Sequence, residues 1–268
     1  MIPEISIENI GFFWKKQTAK LAPITLIYGP NSSGKSFLIN FLITRQPENS
    51  EDNYSSNLIT RGGLVDFDCF RSLLHNNNRY LIKEINYWLE EFEFPYKIKI
   101  DGKKNNSTEK TGFITFIDKI RKVQVSPSNV GSGILQLLPL IVEGIVDSNN
   151  VIFVEHPEKS LHPRIQLHIS DFLIETSGVS TDKTEKKYQQ KTKKQWILET
   201  HSELIMLRIQ KRIRLGSLNN KDVSVIYVQS GPNGRSYITP LELSEEGDFI
   251  DEWPGGFFEE TYNELFKS

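Results

Sequence analysis

The chain has 268 residues, enough for one large α/β domain or a core with an appended subdomain. With 38% hydrophobic and 11% aromatic residues it has material for a packed core, which excludes disorder as the default. A formal net charge of −2 excludes polyanion binding over the whole surface, so any nucleic-acid contact must be a local patch.

Residues 5–28 read as two strands joined by a turn, ending in the apolar run Ile24–Tyr28. Gly29 opens a tight loop, and Ser36–Ile43 has the length and periodicity of a helix. Residues 45–62 are polar and turn-rich. Residues 66–94 carry Phe67, Phe70, Leu73 and Leu74, then Ile82, Ile85, Trp88 and Leu89 at helical spacings; Asn76–Asn78 divides them into two helices. Tyr96–Ile100 alternates as a strand does and turns at Asp101-Gly102. Ile134–Val146 is an apolar helix, Val151–Val154 a buried parallel strand, and Leu161–Ile174 a further helix. After a lysine-rich insertion come the strands Trp196–Leu198 and Val223–Val228, with a helix from Ser202 to Arg214 between them. Strands alternating with helices predict an α/β fold, a mostly parallel sheet covered on both faces, with a helical subdomain inserted over about residues 45–125.

Cys69 is the one cysteine, which excludes an intramolecular disulfide and a cysteine-rich zinc site and fits a reducing cytoplasm. No apolar run approaches the roughly 18 residues of a membrane span. Residues 1–10 lack the basic-then-apolar plan of a secretory leader. The expectation is a cytoplasmic protein that does not enter a membrane.

Gly29-Pro30-Asn31-Ser32-Ser33-Gly34-Lys35-Ser36 satisfies the phosphate-loop pattern G-x-x-x-x-G-K-[ST], with a strand before it and a helix after it. Glycines let backbone N–H groups close around phosphate oxygens, and the helix adds the positive end of its dipole. Lys35 would reach the β- and γ-phosphates of ATP, and the Ser36 hydroxyl would coordinate Mg²⁺.

Glu155-His156-Pro157-Glu158 follows the buried run Val151–Val154, where an acid that organises Mg²⁺ must sit. His201 directly follows another short strand, where a neutral imidazole can sense a γ-phosphate. Asn129–Gly133 precedes a helix; its Gly131-Ser132-Gly133 turn serves equally as an anion-holding loop or as an ordinary helix start.

In this order the segments resemble the ABC-type P-loop ATPases. Gly29–Ser36, followed by Phe37, resembles Walker A; Asn129–Gly133 the signature loop; Val151–Glu155 Walker B; Leu161-His162-Pro163 the D-loop; Thr200-His201-Ser202 the switch-histidine loop. The wording Glu155-His156-Pro157-Glu158 and Glu199-Thr200-His201-Ser202 is closer to the non-transporter branch that holds OLD-like, RecF-like and SMC-like ATPases and small bacterial AAA-type ATPases. Trp253–Glu259, in the aromatic stretch 247–268, resembles the ending of one such group.

The resemblance implies an ATPase using ATP and Mg²⁺, with residues 29–37 on the nucleotide and Ser36 and Glu155 on the metal. Glu155, His156, Glu158 and His201 would act at the γ-phosphate. It also implies a homodimer that sandwiches ATP, with Ser132 and Gly133 completing the partner's site, and an effector partner such as a nuclease or toxin in phage defence or DNA processing. Two departures stand out. The family's Asp–Glu pair reads Glu155-His156 here, and its Ser-Gly-Gly core reads Gly131-Ser132-Gly133; both point to slow turnover, or to a scaffold that binds nucleotide without cleaving it. The lysine run Lys183–Lys194 is either a solvated loop or a nucleic-acid or partner contact, which Arg208, Lys211, Arg212 and Arg214 would extend.

Overall fold

The computed structural model describes residues 1–45, 58–59, 79–102, 112–146, 150–181 and 193–256. The readings of helix at 66–78, of a lysine-rich surface over 183–192, and of the aromatics Phe257 and Phe258 lie outside these residues.

Residues 5–28, read as two strands, make three: β1 (Glu4–Ile7), β2 (Gln17–Lys20) and β3 (Ile24–Tyr28). β1 and β2 pair antiparallel from Glu4↔Lys20 to Ile7↔Gln17, while β3 enters the central sheet. Then follow α1 (Lys35–Thr44), β4 (Leu58–Ile59), α2 (Arg79–Glu91), β5 (Tyr96–Gly102), β6 (Gly112–Asp118), β7 (Gln124–Val125) and α3 (Ser132–Ile145). The last part holds β8 (Val151–Glu155), α4 (Pro163–Ser177), β9 (Gln195–Glu199), α5 (Glu203–Arg214), β10 (Val223–Ser230) and β11 (Ser236–Leu241).

The central sheet has the order β11-β10-β3-β9-β8-β4. All its neighbours are parallel except β11, which closes one edge antiparallel to β10. β3, β8 and β9 are buried along their whole length, as strands covered on both faces must be. Their side chains alternate between two cores. Ile27, Phe153, Ile197 and Ile226 join Leu38, Ile39 and Leu42 of α1 on one face. Leu26, Ile152, Leu198 and Val225 join α3, α4 and α5 on the other.

The insert contributes strands as well as helix: β5, β6 and β7 form an antiparallel sheet of their own. α2 turns Ile85, Trp88 and Leu89 into the second core, where Trp88 meets Phe172 of α4 edge to face at 4.7 Å.

The caps locate the two helices that follow β8 and β9. α4 begins at Pro163, with His162 as N-cap accepting from the Arg164 N–H at 3.2 Å, and ends on Gly178 at φ 73°. α5 begins after Ser202, whose hydroxyl oxygen accepts from the Ile205 N–H at 3.2 Å, and places Lys211, Arg212 and Arg214 in its last turn. No described helix is long and apolar enough to cross a membrane.

Candidate active site

β3 delivers the chain to Gly29, whose φ of 143° suits only glycine and where a Cβ would overlap the Val228 carbonyl oxygen of β10. Ser32 at φ 62° and Gly34 at φ 101° complete the bend. Gly34 is also the N-cap of α1, so no side chain caps the first N–H groups of that helix, which lack intrahelical acceptors. The Ser236 hydroxyl of β11 donates to the Ser33 carbonyl at 2.7 Å and ties the sheet edge to the loop. Ser33 Oγ is buried and finds no hydrogen-bond partner among the described residues. Pro30, Asn31, Ser32 and Ser36 are exposed, as a loop that receives a ligand requires.

Lys35 Nζ donates to the Pro30 carbonyl at 2.8 Å and lies 3.6 Å from Glu199 Oε1. The Ser36 hydroxyl donates to Glu199 Oε2 at 2.8 Å. Glu199 ends β9, the strand between β3 and β8, and is almost fully buried at 2% exposure. Glu155 ends β8 in register with it, so two carboxylates lie side by side at the carboxyl edge of the sheet. Sequence reasoning did not single out Glu199. The available signal was its place at the end of a buried strand, one residue before Thr200-His201.

His156 follows β8 at φ 51°, an unfavourable conformation for a residue with a Cβ, and its N–H donates to the Glu199 carbonyl at 2.8 Å. Its Nδ1 lies 3.5 Å from Glu158 Oε1 and its Nε2 3.7 Å from Glu199 Oε1. Glu158 in turn accepts from the Thr200 hydroxyl at 2.7 Å and from the His201 N–H at 2.9 Å. The two imidazoles stack, with centroids 5.1 Å apart and planes 10° from parallel. Thus the phosphate loop, the end of β8 and the loop after β9 form one polar network.

Electrostatics follow from that arrangement. The hydrogen bond to Glu158 holds His156 above the ordinary histidine value against the opposing effect of burial. Burial, with Lys35 and His156 nearby, lowers His201. Burial also lowers Lys35, partly offset by Glu199. Burial would raise Glu158, but the bonds from His156, His201 and Thr200 outweigh it and its carboxyl titrates below the usual range.

Other expected residues lie elsewhere. Ser132 and Gly133 start α3, where a Cβ on Gly133 would lie 2.8 Å from the Ser160 carbonyl oxygen. Among the described residues no hydrogen bond joins them to the phosphate loop of their own chain. The Phe37 ring packs against Phe12 and Phe13 with centroids 6.0 and 6.2 Å away, so its N–H at the helix start is what it offers an anion. Phe12 and Trp14 are exposed on that aromatic lip, and the Arg235 guanidinium lies 4.3 Å over the Trp14 ring.

Of the basic cluster on α5, Arg208 and Arg212 pair with Asp171 and Arg214 with Asp248, each at 2.7 Å, so only Lys211 lacks a salt bridge among the described residues. Lys194, the last of the lysine run, is buried and donates to the Val146 carbonyl at 2.6 Å.

The residues present fit ATP and Mg²⁺. The loop is a cradle that a Cβ at Gly29 would fill, it holds a buried hydroxyl with no partner among the described residues, and its lysine and serine both meet the Glu199 carboxylate at the end of the adjoining β9. Lys35 and the α1 N–H groups would hold phosphate oxygens, and Ser36 and Glu155 the metal.

A phosphate loop between β3 and α1, acids ending the neighbouring strands and a histidine beyond the interposed strand define a P-loop ATPase. The sequence profile of the AAA ATPase domain family matches residues 66–206, more than half of the chain, and the chain belongs to that family. A second profile, of a protein of unknown function (DUF3696), matches residues 218–267. No curated protein matches the chain. Among solved structures, the SMC head domain from Thermotoga maritima is 13% identical, with 90% of this chain and 98% of that one covered at a TM-score of 0.54. An SMC head bound to the C-terminal winged-helix domain of ScpA is 11% identical, with 87% and 95% covered at 0.58. These likenesses are at the level of fold.

Proposed function

We propose that this ATPase is a dimeric switch that passes the state of its nucleotide site to an effector protein. The observation that carries this is the position of Glu199, which touches Lys35 and Ser36 of the phosphate loop, faces His156 and precedes the His201 loop. Bound MgATP would supply phosphate oxygens to Lys35, a cation to Ser36 and Glu155, and the phosphoanhydride bond that water cleaves. Lys35 would then exchange Glu199 for phosphate, leaving that carboxylate free to change its contact with His156. Glu158 carries that change to His201, because it holds both the His156 imidazole and the His201 N–H. Glu155 would hold the metal, and His156 and Glu158 would orient the attacking water.

Among the described residues Ser132 and Gly133 make no hydrogen bond to their own phosphate loop, which leaves them for use by a second copy in an ATP sandwich. The similar SMC head binds a winged-helix domain, which supports a protein partner here as well. The effector we propose by family analogy is a nuclease or toxin in phage defence or DNA processing, and residues 183–194 are the candidate route to nucleic acid. His156 at the place of the expected glutamate favours slow turnover, and also a second reading in which the chain is a nucleotide-bound scaffold.

Phosphate release and oligomer mass, measured on wild type and Lys35→Ala in the same tubes, decide between them. Turnover and ATP-dependent dimers, both lost in Lys35→Ala, are expected for the switch. Dimers without turnover identify the scaffold. No effect of ATP on either quantity would refute the dimer reading for the isolated chain.

A further inference from the structure

We propose that His156, Glu199 and His201 form a site for a zinc-class divalent cation, distinct from the Mg²⁺ position, and that filling it holds the ATPase at rest. The regulatory half of this proposal rests on the ATPase reading above; the binding half does not.

Each of the three residues offers a ligand atom, and these atoms lie within 4.8 Å of one another. Tetrahedral zinc with bonds of about 2.0–2.1 Å needs ligand atoms roughly 3.4 Å apart. His156 Nε2 and Glu199 Oε1, at 3.7 Å, are already near that spacing. Two imidazoles and one carboxylate suit zinc and its neighbours, whereas Mg²⁺ prefers an all-oxygen shell such as Ser36 and Glu155 provide.

The supporting groups are also those of a built metal site. Glu158 faces His156 Nδ1 at 3.5 Å, which leaves Nε2 as the atom directed toward Glu199. A carboxylate behind a histidine in this way fixes the tautomer and ring orientation of metal ligands. Glu158 is itself held by Thr200 and by the His201 N–H, so one carboxylate positions elements of both histidines. His156 is further fixed by its N–H bond to the Glu199 carbonyl.

A cation here competes with Lys35 for Glu199 Oε1, since the ammonium lies 3.6 Å from that oxygen. It would also hold the Glu199 carboxylate against His156, the contact whose change the switch requires. The ion and the nucleotide are thereby coupled through one carboxylate.

The test uses the metal-free full-length chain, titrated with Zn²⁺ against a chromophoric chelator and with Co²⁺ followed by its visible absorption. Wild type and the control His168→Ala are expected to bind one ion per chain with equal affinity. Glu158→Gln should weaken binding about 10–100-fold. His201→Ala and Glu199→Gln should weaken it at least as much, and Lys35→Ala should tighten it. Because Glu199→Gln changes a buried group, His201→Ala, at a half-buried position, is the decisive variant: equal affinity in wild type and His201→Ala would overturn the site.

Phosphate release from MgATP, measured across the same Zn²⁺ range, is expected to fall in wild type as the site fills. Full occupancy with unchanged release would overturn the regulatory half. A wild type that binds the ion yet never hydrolyses ATP would refute the ATPase reading and leave the site standing. One that hydrolyses ATP and binds no ion would refute the site alone.

Discussion

The Ser36 hydroxyl donates to Glu199 Oε2 across 2.8 Å, so the residue that would hold Mg²⁺ is engaged by a carboxylate from the neighbouring strand. Glu199 also faces Lys35, and both side chains of that pair are 3% exposed. In a site this dry the carboxylate sets where two nucleotide-binding groups stand before any nucleotide arrives. Glu199→Gln keeps the size and an acceptor for Ser36 but removes the charge that holds Lys35. Phosphate release is expected to fall about 100-fold, the scale of loss when reacting groups are misplaced by an ångström. Unchanged release in this variant would show that Glu199 is packing and not part of the switch.

Gly29 offers a sterically cleaner test of the loop. Its φ is 143°, and the space a Cβ needs belongs to the Val228 carbonyl oxygen of β10. Gly29→Ala must push the loop off β10 or strain it, at a cost of about 1–3 kcal/mol. Thermal unfolding should show that loss, and nucleotide binding should fall together with it. Gly216 makes a suitable comparison, because it also has positive φ but open space around its Cβ direction. Gly216→Ala should be destabilised less and should bind nucleotide as wild type does.

The parts of this site that sequence reveals are those solved locally. Gly29, Gly34, Lys35 and Ser36 each answer a steric or electrostatic need within eight consecutive residues, and β8 and β9 are short apolar runs whose burial is evident from composition. Glu199 escaped because its role depends on strand order. Only when β9 is inserted between β3 and β8 does its terminal carboxylate face Lys35 and His156, and that order is fixed by packing across 163 residues of sequence. The same reason hid β11, whose Ser236 supports the loop from the far end of the chain. The partners of the basic cluster on α5 were not legible in the sequence either, because Asp171 of α4, which pairs with Arg208 and Arg212, meets them only through helix packing.

That last contact has a pH signature. Burial alone would raise the Asp171 carboxyl, but bonds from Arg208 and Arg212 outweigh it and hold it below the ordinary aspartate range. A carboxyl depressed in the folded state stabilises the fold at pH above its unfolded value of about 3.9. The contribution is lost as pH falls through the lower, folded value. Asp171→Asn should therefore be less stable than wild type by about 1–3 kcal/mol at neutral pH. The difference should shrink as the pH drops below about 4. Chemical denaturation at several pH values measures this; a gap that stays constant into strong acid would show that the ion pairs are not its source.

The aromatic C-terminus provides the remaining prediction. Trp253 sits edge-on to Tyr28 at 5.5 Å, to Tyr227 at 6.0 Å and to Phe249 at 4.8 Å. Tyr28 is the last residue of β3 before the phosphate loop, and its hydroxyl donates to the Ser202 carbonyl at 3.1 Å, the residue after His201. Trp253 therefore braces a side chain that joins the strand before the loop to the segment after β9. Trp253→Ala should cost about 2–4 kcal/mol as the cluster loses its half-buried indole. Tyr28→Phe keeps the ring and loses only the bond to Ser202, at about 1 kcal/mol. If Trp253 acts through Tyr28, both variants should slow phosphate release by a similar factor at a temperature where both are folded, despite their unequal stability. If only Trp253→Ala slows it, the tail contributes stability to the core and no more.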